Sequence, residues 1–541
     1  MKKDINMKNI YKSILGVGLA AFCLTSFTGC IDETEPTNVA TETQIAQSAS
    51  ATQALLMAMP AYFNHGSDSY HFQFGYGAMM HIRDAETGDL ALASTDYGWF
   101  NAWQQNQQMG ESMARTQYTW NYYWGFVQTA NNMVGGVDEA NATTAQLGYL
   151  GAGYAFRAML YLDLARMYEF LPNDVTTSKN TAGNDVSGLT VPIVKAGMSE
   201  DSARVNPRVS HAKMAAFIEN DLNEAEKLIV NLTDTKGKVL PDLACVYGLK
   251  ARLYMWNEDY ANAQKYARLA IDNSSVGPMT QDECLNTKTG FNVTSPWMWG
   301  AQQTSQDYTV NTGIINWTSW MSPEATFGYS GAGAKSLIDA NLYNSISDTD
   351  FRKLEFKAPD GSKLASKVAY LDAEAAANYP EYTGVKFRPN AGNTSDYATG
   401  AASAYPIMRV EEMYFIEAEA AAHQDAAKGK ELVTSFMTKY RDPKYVTRAA
   451  STDEVVKEVV LQKRIEFWGE GLTFFDIKRL NMSVTRGYAG TDFSDLMRFN
   501  TNGRPGWMNT VIVQTEQNNN SALVGWNNPD PTGLYTPWTS Q

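Results

Sequence analysis

Cysteine is scarce. The chain has four in 541 residues, two of them, Cys23 and Cys30, within the N-terminal leader region, so a disulfide framework is excluded as the basis of the fold. Cys245 and Cys284 either form one bridge or stay free; Cys245 lies inside a helical pattern, which favours free core thiols. The five histidines, His65, His71, His81, His211 and His423, form no H-E-x-x-H motif and no i,i+4 pair; a helical zinc site lacks its ligands, and neither metal nor cofactor is expected. Basic charge is in deficit, with 44 Lys and Arg against 58 Asp and Glu for a net charge of −14. That balance leaves no electrostatic footprint for nucleic acid. Beyond the leader, no run approaches the 18 consecutive apolar residues of a membrane-spanning helix. With apolar types at 44% and charged types at only 19%, disordered and coiled-coil classes are also excluded.

What is present begins at the N-terminus. Lys2 to Lys12 precede an apolar stretch from Ile14 to Leu24, followed by Ser26-Phe27-Thr28-Gly29-Cys30. A basic start, a short apolar run and small residues describe a signal peptide over residues 1–29. Gly29 before Cys30 resembles a bacterial lipobox, with Phe27 where that motif usually has Leu. Cleavage before Cys30 and acylation of its thiol would anchor the chain, each buried CH₂ adding about 0.8 kcal/mol. Residues 30–50, rich in Thr, Ala, Gln and Ser after Asp32-Glu33-Thr34-Glu35, read as a flexible tether.

The remainder, 51–541, reads as all-α. Leu150, Tyr154, Ala158, Tyr161, Leu164 and Tyr168 recur at steps of three and four and define one helix face before Pro172. Further helices are expected around Phe217–Leu228, Leu243–Trp256, Tyr260–Ala270, Met408–Ala422, Val455–Glu470 and Phe474–Leu480, and Tyr118 to Phe126 forms an apolar helical face assigned to the core. Small Ala residues across the turn at Asn257-Glu258-Asp259 point to a tetratricopeptide-like helical hairpin. The scaffold is placed at about 51–284 and 401–480. The Gly-, Asn-, Thr- and Ser-rich stretches at about 285–400 and 481–541 are loop-rich insertions, expected to carry the binding site.

Six blocks, in order, resemble the SusD/RagB family of nutrient-binding outer-membrane lipoproteins. They are Arg157-Ala158-Met159-Leu160-Tyr161 through Leu171-Pro172; Gly188-Leu189-Thr190-Val191-Pro192; Ile218 to Ala225; Lys250 to Tyr254 with Ala261 to Ala263; Tyr405 to Tyr414 with Ala418 to Ala420; and Lys463 to Gly471 with Phe475 to Arg479. The resemblance implies a cell-surface, lipid-anchored protein on the exterior of the outer membrane. Such a protein captures oligosaccharide or polysaccharide and passes it to a SusC-like TonB-dependent transporter. Peptide binding within the same family, a surface glycoside hydrolase and a helical-repeat assembly protein are the alternatives. The family's starch-binding member has a Trp three residues before an Asn in its N-terminal loop region, a pattern repeated by Trp103 and Asn106. Asn101 stands where that member has a further Trp, which reduces the aromatic arc.

Catalysis is not expected. Gly328 to Gly333 imitates a phosphate loop, but an extra residue before Lys335 breaks the spacing. Glu466 and Glu470 share a helix face as a glycosidase pair could, yet they stand among Lys463, Arg464, Lys478 and Arg479 and suit structural ion pairs. Aromatics are the informative excess, from Tyr97 to Phe126 and from Trp297 to Tyr329. Flat rings beside Asn and Gln suit sugars, which present an apolar C–H face and a rim of hydroxyls. The expected ligand contacts are Trp103, Asn106, Trp317 and Trp320, with Arg83 as a further donor. Trp124 and Trp468 are assigned to the helical frame.

Overall fold

The computed structural model describes residues 48–539 apart from positions 94, 96 and 290. The leader, Cys30 and nearly all of the 30–50 tether lie outside the described residues. The chain from Ala49 onward is mostly helical. Its N-terminal frame is α1 (Ala49–Tyr62), α2 (Tyr76–Ala85), α3 (Ala114–Gly135) and α4 (Thr144–Tyr168). A succession follows of α5 (His211–Leu228), α6 (Leu243–Trp256), α7 (Tyr260–Asn273), α8 (Val410–Gln424), α9 (Ala426–Tyr440), α10 (Thr452–Glu466) and α11 (Thr473–Arg479). Each helix from α3 to α9 packs on the next, and α10 closes against α8 and α9. This is the tetratricopeptide-like, all-helical architecture expected from the periodicity.

Local chemistry sets the helix ends. Thr143 and Gln146 form a capping box at the start of α4, as Ser451 and Glu454 do for α10, satisfying amide donors that have no partner inside the helix. Between α6 and α7 the turn is made by Glu258 at φ 57°, and Asp259 caps α7. Ala263, Ala267 and Ala270 are fully buried, so α7 seats closely between α6 and α8. On α4, a side chain at Gly148 or Gly151 would come within 2.6 Å of backbone atoms of residues 229–232. Glycine at both positions lets that segment lie directly on the helix.

Two small antiparallel sheets tie the loop-rich insertion to the frame. β1 (Leu90–Leu92) pairs with β3 (Ser336–Ile338), Leu90 opposite Ile338, and β2 (Trp299–Gln302) pairs with β4 (Ala404–Met408), which leads into α8. The C-terminal stretch returns to the N-terminal helices, where Asn528 donates to the Tyr168 carbonyl at 2.9 Å and Arg208 to the Trp526 carbonyl at 2.8 Å. Cys245 and Cys284 are buried free thiols. Among the described residues no helix is long and apolar enough to cross a membrane.

Candidate functional site

The five side chains expected to touch ligand all lie inside the molecule. Trp317 is 0% exposed, Trp320 2%, Trp103 4%, Asn106 1% and Arg83 1%, so none offers a free face to a sugar ring. Trp317 packs between Phe387 and Tyr405, with centroids at 5.0 and 5.2 Å. Asn106 is a clamp: its Nδ2 donates to the Pro531 carbonyl at 2.6 Å and its Oδ1 accepts from the Leu534 amide at 2.9 Å, fixing the C-terminal stretch. Arg83 donates to the Gly471 carbonyl and the Tyr123 hydroxyl and lies 3.5 Å from Asp163, joining α2, α3 and α4. In this structure the five are interior supports, packed within the protein rather than presented to solvent as expected of ligand contacts. Trp468, assigned to the frame, is buried with Nε1 donating to the Asp89 carbonyl, while Trp124 on α3 is half-buried.

An exposed aromatic surface lies directly over two of these supports. Three segments, 63–75, 97–113 and 303–335, bring their rings together there. Trp320 stacks on Tyr329 at 4.3 Å and 16°, and its Nε1 donates to the His71 carbonyl. The Tyr329 hydroxyl is hydrogen-bonded to His71 Nδ1, and His71 stacks on Trp99 at 4.7 Å. Burial holds the His71 imidazole below its usual pKa against the opposing pull of Asp68, which keeps the ring neutral and able to share that hydrogen bond. Tyr70 meets Trp99 edge-on and stacks on Phe72, itself edge-on to Trp103. The tier thus climbs from buried Trp320 and Trp103 to half-buried Trp99 and to Tyr70 and Tyr97, exposed by 40% and 47%. The outer rings are held by the inner ones, so little freedom is lost on contact with a ligand.

On the other side of Tyr70 a cleft of about 260 Å³ opens between the 63–75 loop and the start of α3, with Tyr62, His65, Gln73, Gln117 and Asn121 in its walls. Gln117 and Asn121 face each other across one helical turn and hydrogen-bond at 2.7 Å. An aromatic step beside amide donors and acceptors can pack a ring's C–H face and satisfy its hydroxyls together. Sequence reading placed Trp99, Tyr97 and Tyr329 among the aromatic-rich segments but missed Tyr70 and His71. Their signal was an aromatic triplet, Tyr70-His71-Phe72, next to the turn-rich Gly66-Ser67-Asp68-Ser69.

Glu466 is the last residue of α10 and Glu470 lies in the turn beyond it, so the two do not share a helix face as expected, and both are committed elsewhere. Glu466 accepts from Arg409 at 2.9 Å, Arg441 at 2.7 Å and Arg352 at 3.2 Å, and Glu470 from Lys386 at 2.7 Å and Arg409 at 2.9 Å. Glu466 is held well below the usual carboxylate range: burial opposes ionisation, but Arg441 and Arg409 outweigh it. Such charges act as ties between α8, α10 and the insertion. Among the described residues no group of three or more His, Cys, Asp or Glu is placed to hold a metal ion.

Fold and surface together define a helical-repeat scaffold with a loop-borne, partly exposed aromatic face. Residues 286–538 match the SusD family, and the described chain has the fold of SusD-like structures. It is similar to a SusD-like carbohydrate binding protein from Bacteroides vulgatus, with 22% identity and a TM-score of 0.68 over 87% of this chain and 96% of that one. A SusD superfamily protein from Bacteroides thetaiotaomicron aligns at 16% identity and TM-score 0.64, over 87% and 98% of the two chains. One from Bacteroides fragilis aligns at 19% and 0.63, over 88% and 99%. No curated protein matches the chain.

Proposed function

We propose that this chain is a lipid-anchored carbohydrate-binding protein on the exterior of the outer membrane. It holds an oligosaccharide on Tyr70, Trp99 and Tyr97 without breaking a bond and passes it to a SusC-like TonB-dependent transporter. The observation that carries the reading is the stepped aromatic tier, whose outer rings stand beside an amide-lined cleft. A structural relative described as a carbohydrate binding protein supports the ligand class. Trp103 and Trp320 serve the site from beneath, Asn106 ties its loop to the C-terminal stretch, and Arg83 joins helices of the frame. The scaffold at 51–284 and 401–480 supplies rigidity, and the insertion at 285–400 supplies Trp320 and Tyr329. Anchoring rests on the Gly29-Cys30 motif.

Calorimetric titration against a glycan panel tests the ligand class. At least one oligosaccharide should bind saturably to the native chain, and Trp99→Ala and Tyr70→Ala should weaken it. Saturable binding of peptides with none of any glycan would replace the ligand. Transfer predicts co-purification with a SusC-like transporter. For the anchor, Cys30→Ala should move the protein from the membrane to the soluble fraction; unchanged membrane association would defeat that part of the proposal.

A further inference from the structure

Far from the aromatic tier in sequence, the helical frame encloses a second cavity of about 240 Å³, between α6, α8, α11 and the end of α4. Its walls mix apolar side chains, among them Met255, Trp256, Ile416 and Phe475, with charged ones. Three of its carboxylates are already matched. Glu169 takes His211 at 2.8 Å and the Trp256 indole at 2.9 Å, Glu412 takes Arg252 at 2.6 Å, and Asp476 takes Lys463 at 2.6 Å and Arg479 at 3.0 Å. A further one, Glu258, is exposed at the turn between α6 and α7.

Lys478 is different. Its side chain is buried, 2% of the residue being exposed, and its ammonium donates to one acceptor, the Met167 carbonyl at 2.7 Å. Among the described residues it has no carboxylate within ion-pair distance. Arg166, also in the wall, shares Asp163 with Arg83, one carboxylate serving two guanidinium groups. An ammonium has three donors, and a buried charge without a counter-charge is costly unless something supplies one. Burial pulls the Lys478 pKa down to about 7, against the favourable field of Glu169, in keeping with a cation short of a partner.

We infer that this cavity is a binding site for a small amphipathic monoanion, a carboxylate on an apolar body, with Lys478 as the charge partner and Trp256, Phe475 and Ile416 packing the body. Among the described residues Lys478 is the cation of this wall with no carboxylate partner at all, and one negative charge would match it. The apolar share of the wall disfavours a compact, strongly hydrated ion such as phosphate. The site is separate from the proposed glycan surface, so either can fail without the other.

The probes are benzoate, its neutral counterpart benzyl alcohol, and inorganic phosphate, each titrated calorimetrically into the full chain. Benzoate should bind one to one and at least about tenfold more tightly than benzyl alcohol, the factor that corresponds to about 1.4 kcal/mol. Lys478→Met, which keeps the apolar stem, should bring benzoate down to the level of the alcohol. Ile416→Phe, which fills the cavity and leaves Lys478 in place, should abolish binding of both, and it guards against failure of Lys478→Met to fold. Equal affinity for benzoate and benzyl alcohol, no saturable benzoate binding, or full benzoate affinity in Ile416→Phe would overturn the site. Phosphate binding as tight as benzoate would overturn the amphipathic ligand class.

Discussion

The closing block around Glu466 and the tier around Trp99 solve opposite problems with buried side chains. In the block, three arginines and a lysine converge on two carboxylates that are 4% exposed. All four carboxylate oxygens of Glu466 and Glu470 are taken up within the protein. In the tier, each ring is partly covered by the one beneath until Tyr70 and Tyr97 emerge half in water. Concentrated charge here marks a joint between helices. A ladder of rings that stops at the surface leaves aromatic faces free for a ligand.

Breaking the block should have the largest effect. Arg409→Met leaves Glu466, Glu470 and Glu411 with one cation fewer in a dry site, and losing one partner of a buried pair costs about 3–5 kcal/mol. Denaturant unfolding should show that loss, with glycan affinity of the remaining folded protein unchanged. A loss below about 1 kcal/mol would mean that the network behaves like a surface ion pair and that the contrast is false.

Trp317→Ala gives a comparable loss, about 3–5 kcal/mol, through the cavity left by a fully buried indole. A matching loss of glycan affinity with an unshifted melting temperature would return Trp317 to the ligand site. Acid provides a smaller lever beneath the tier. His81 is fully buried against Phe100 and Trp320 with no hydrogen-bond partner on either ring nitrogen, and burial pulls its pKa down to about 3. The unfolded chain takes up this proton near pH 6.5 and the folded chain does not, so its contribution is complete above about pH 6.5 and is lost as pH falls towards 3. At pH 5 the loss should be about 2 kcal/mol relative to pH 7.5, and it should disappear from the pH dependence of a His81→Phe variant. If native and variant curves run parallel, His81 is not buried as a neutral ring.

The smallest effect is the most specific. Trp99→Ala should weaken glycan binding by about 0.5–1.5 kcal/mol beyond lost contact area while moving the melting temperature less than Trp317→Ala does, since Trp99 is only partly buried. Unchanged affinity would shift the site to other exposed rings, of which Trp526, 40% exposed, is the first to test.

Much of the frame was legible in the sequence because helix periodicity is local. Leu243–Trp256 was read to the residue, and the turn at Asn257-Glu258-Asp259 followed from residues that cap and reverse a helix. α9 escaped because its core contact is narrow: Gly429, Val433, Phe436 and Met437 are its buried residues among Lys, Glu and Thr. The ionic role of Glu466 and Glu470 was legible but their partners were not: the sequence neighbours Lys463, Arg464 and Arg479 pair with Asp476, Asp89 and Glu419, Lys478 donates to the Met167 carbonyl, and the cations that reach the two carboxylates, Arg352, Lys386, Arg409 and Arg441, come from distant segments.

The sequence by itself determined that this chain is helical, acidic and rich in loop aromatics, because those properties depend on composition and on neighbours three or four residues apart. Only the tertiary structure decided which rings face water. Trp103, Trp317 and Trp320 looked as available as Trp99, and they are covered by Phe72, Phe387 and Tyr329, the first two from distant segments. Exposure is set by which parts of the chain come to lie over a residue, and that is fixed by packing between loops remote in sequence rather than by any local pattern.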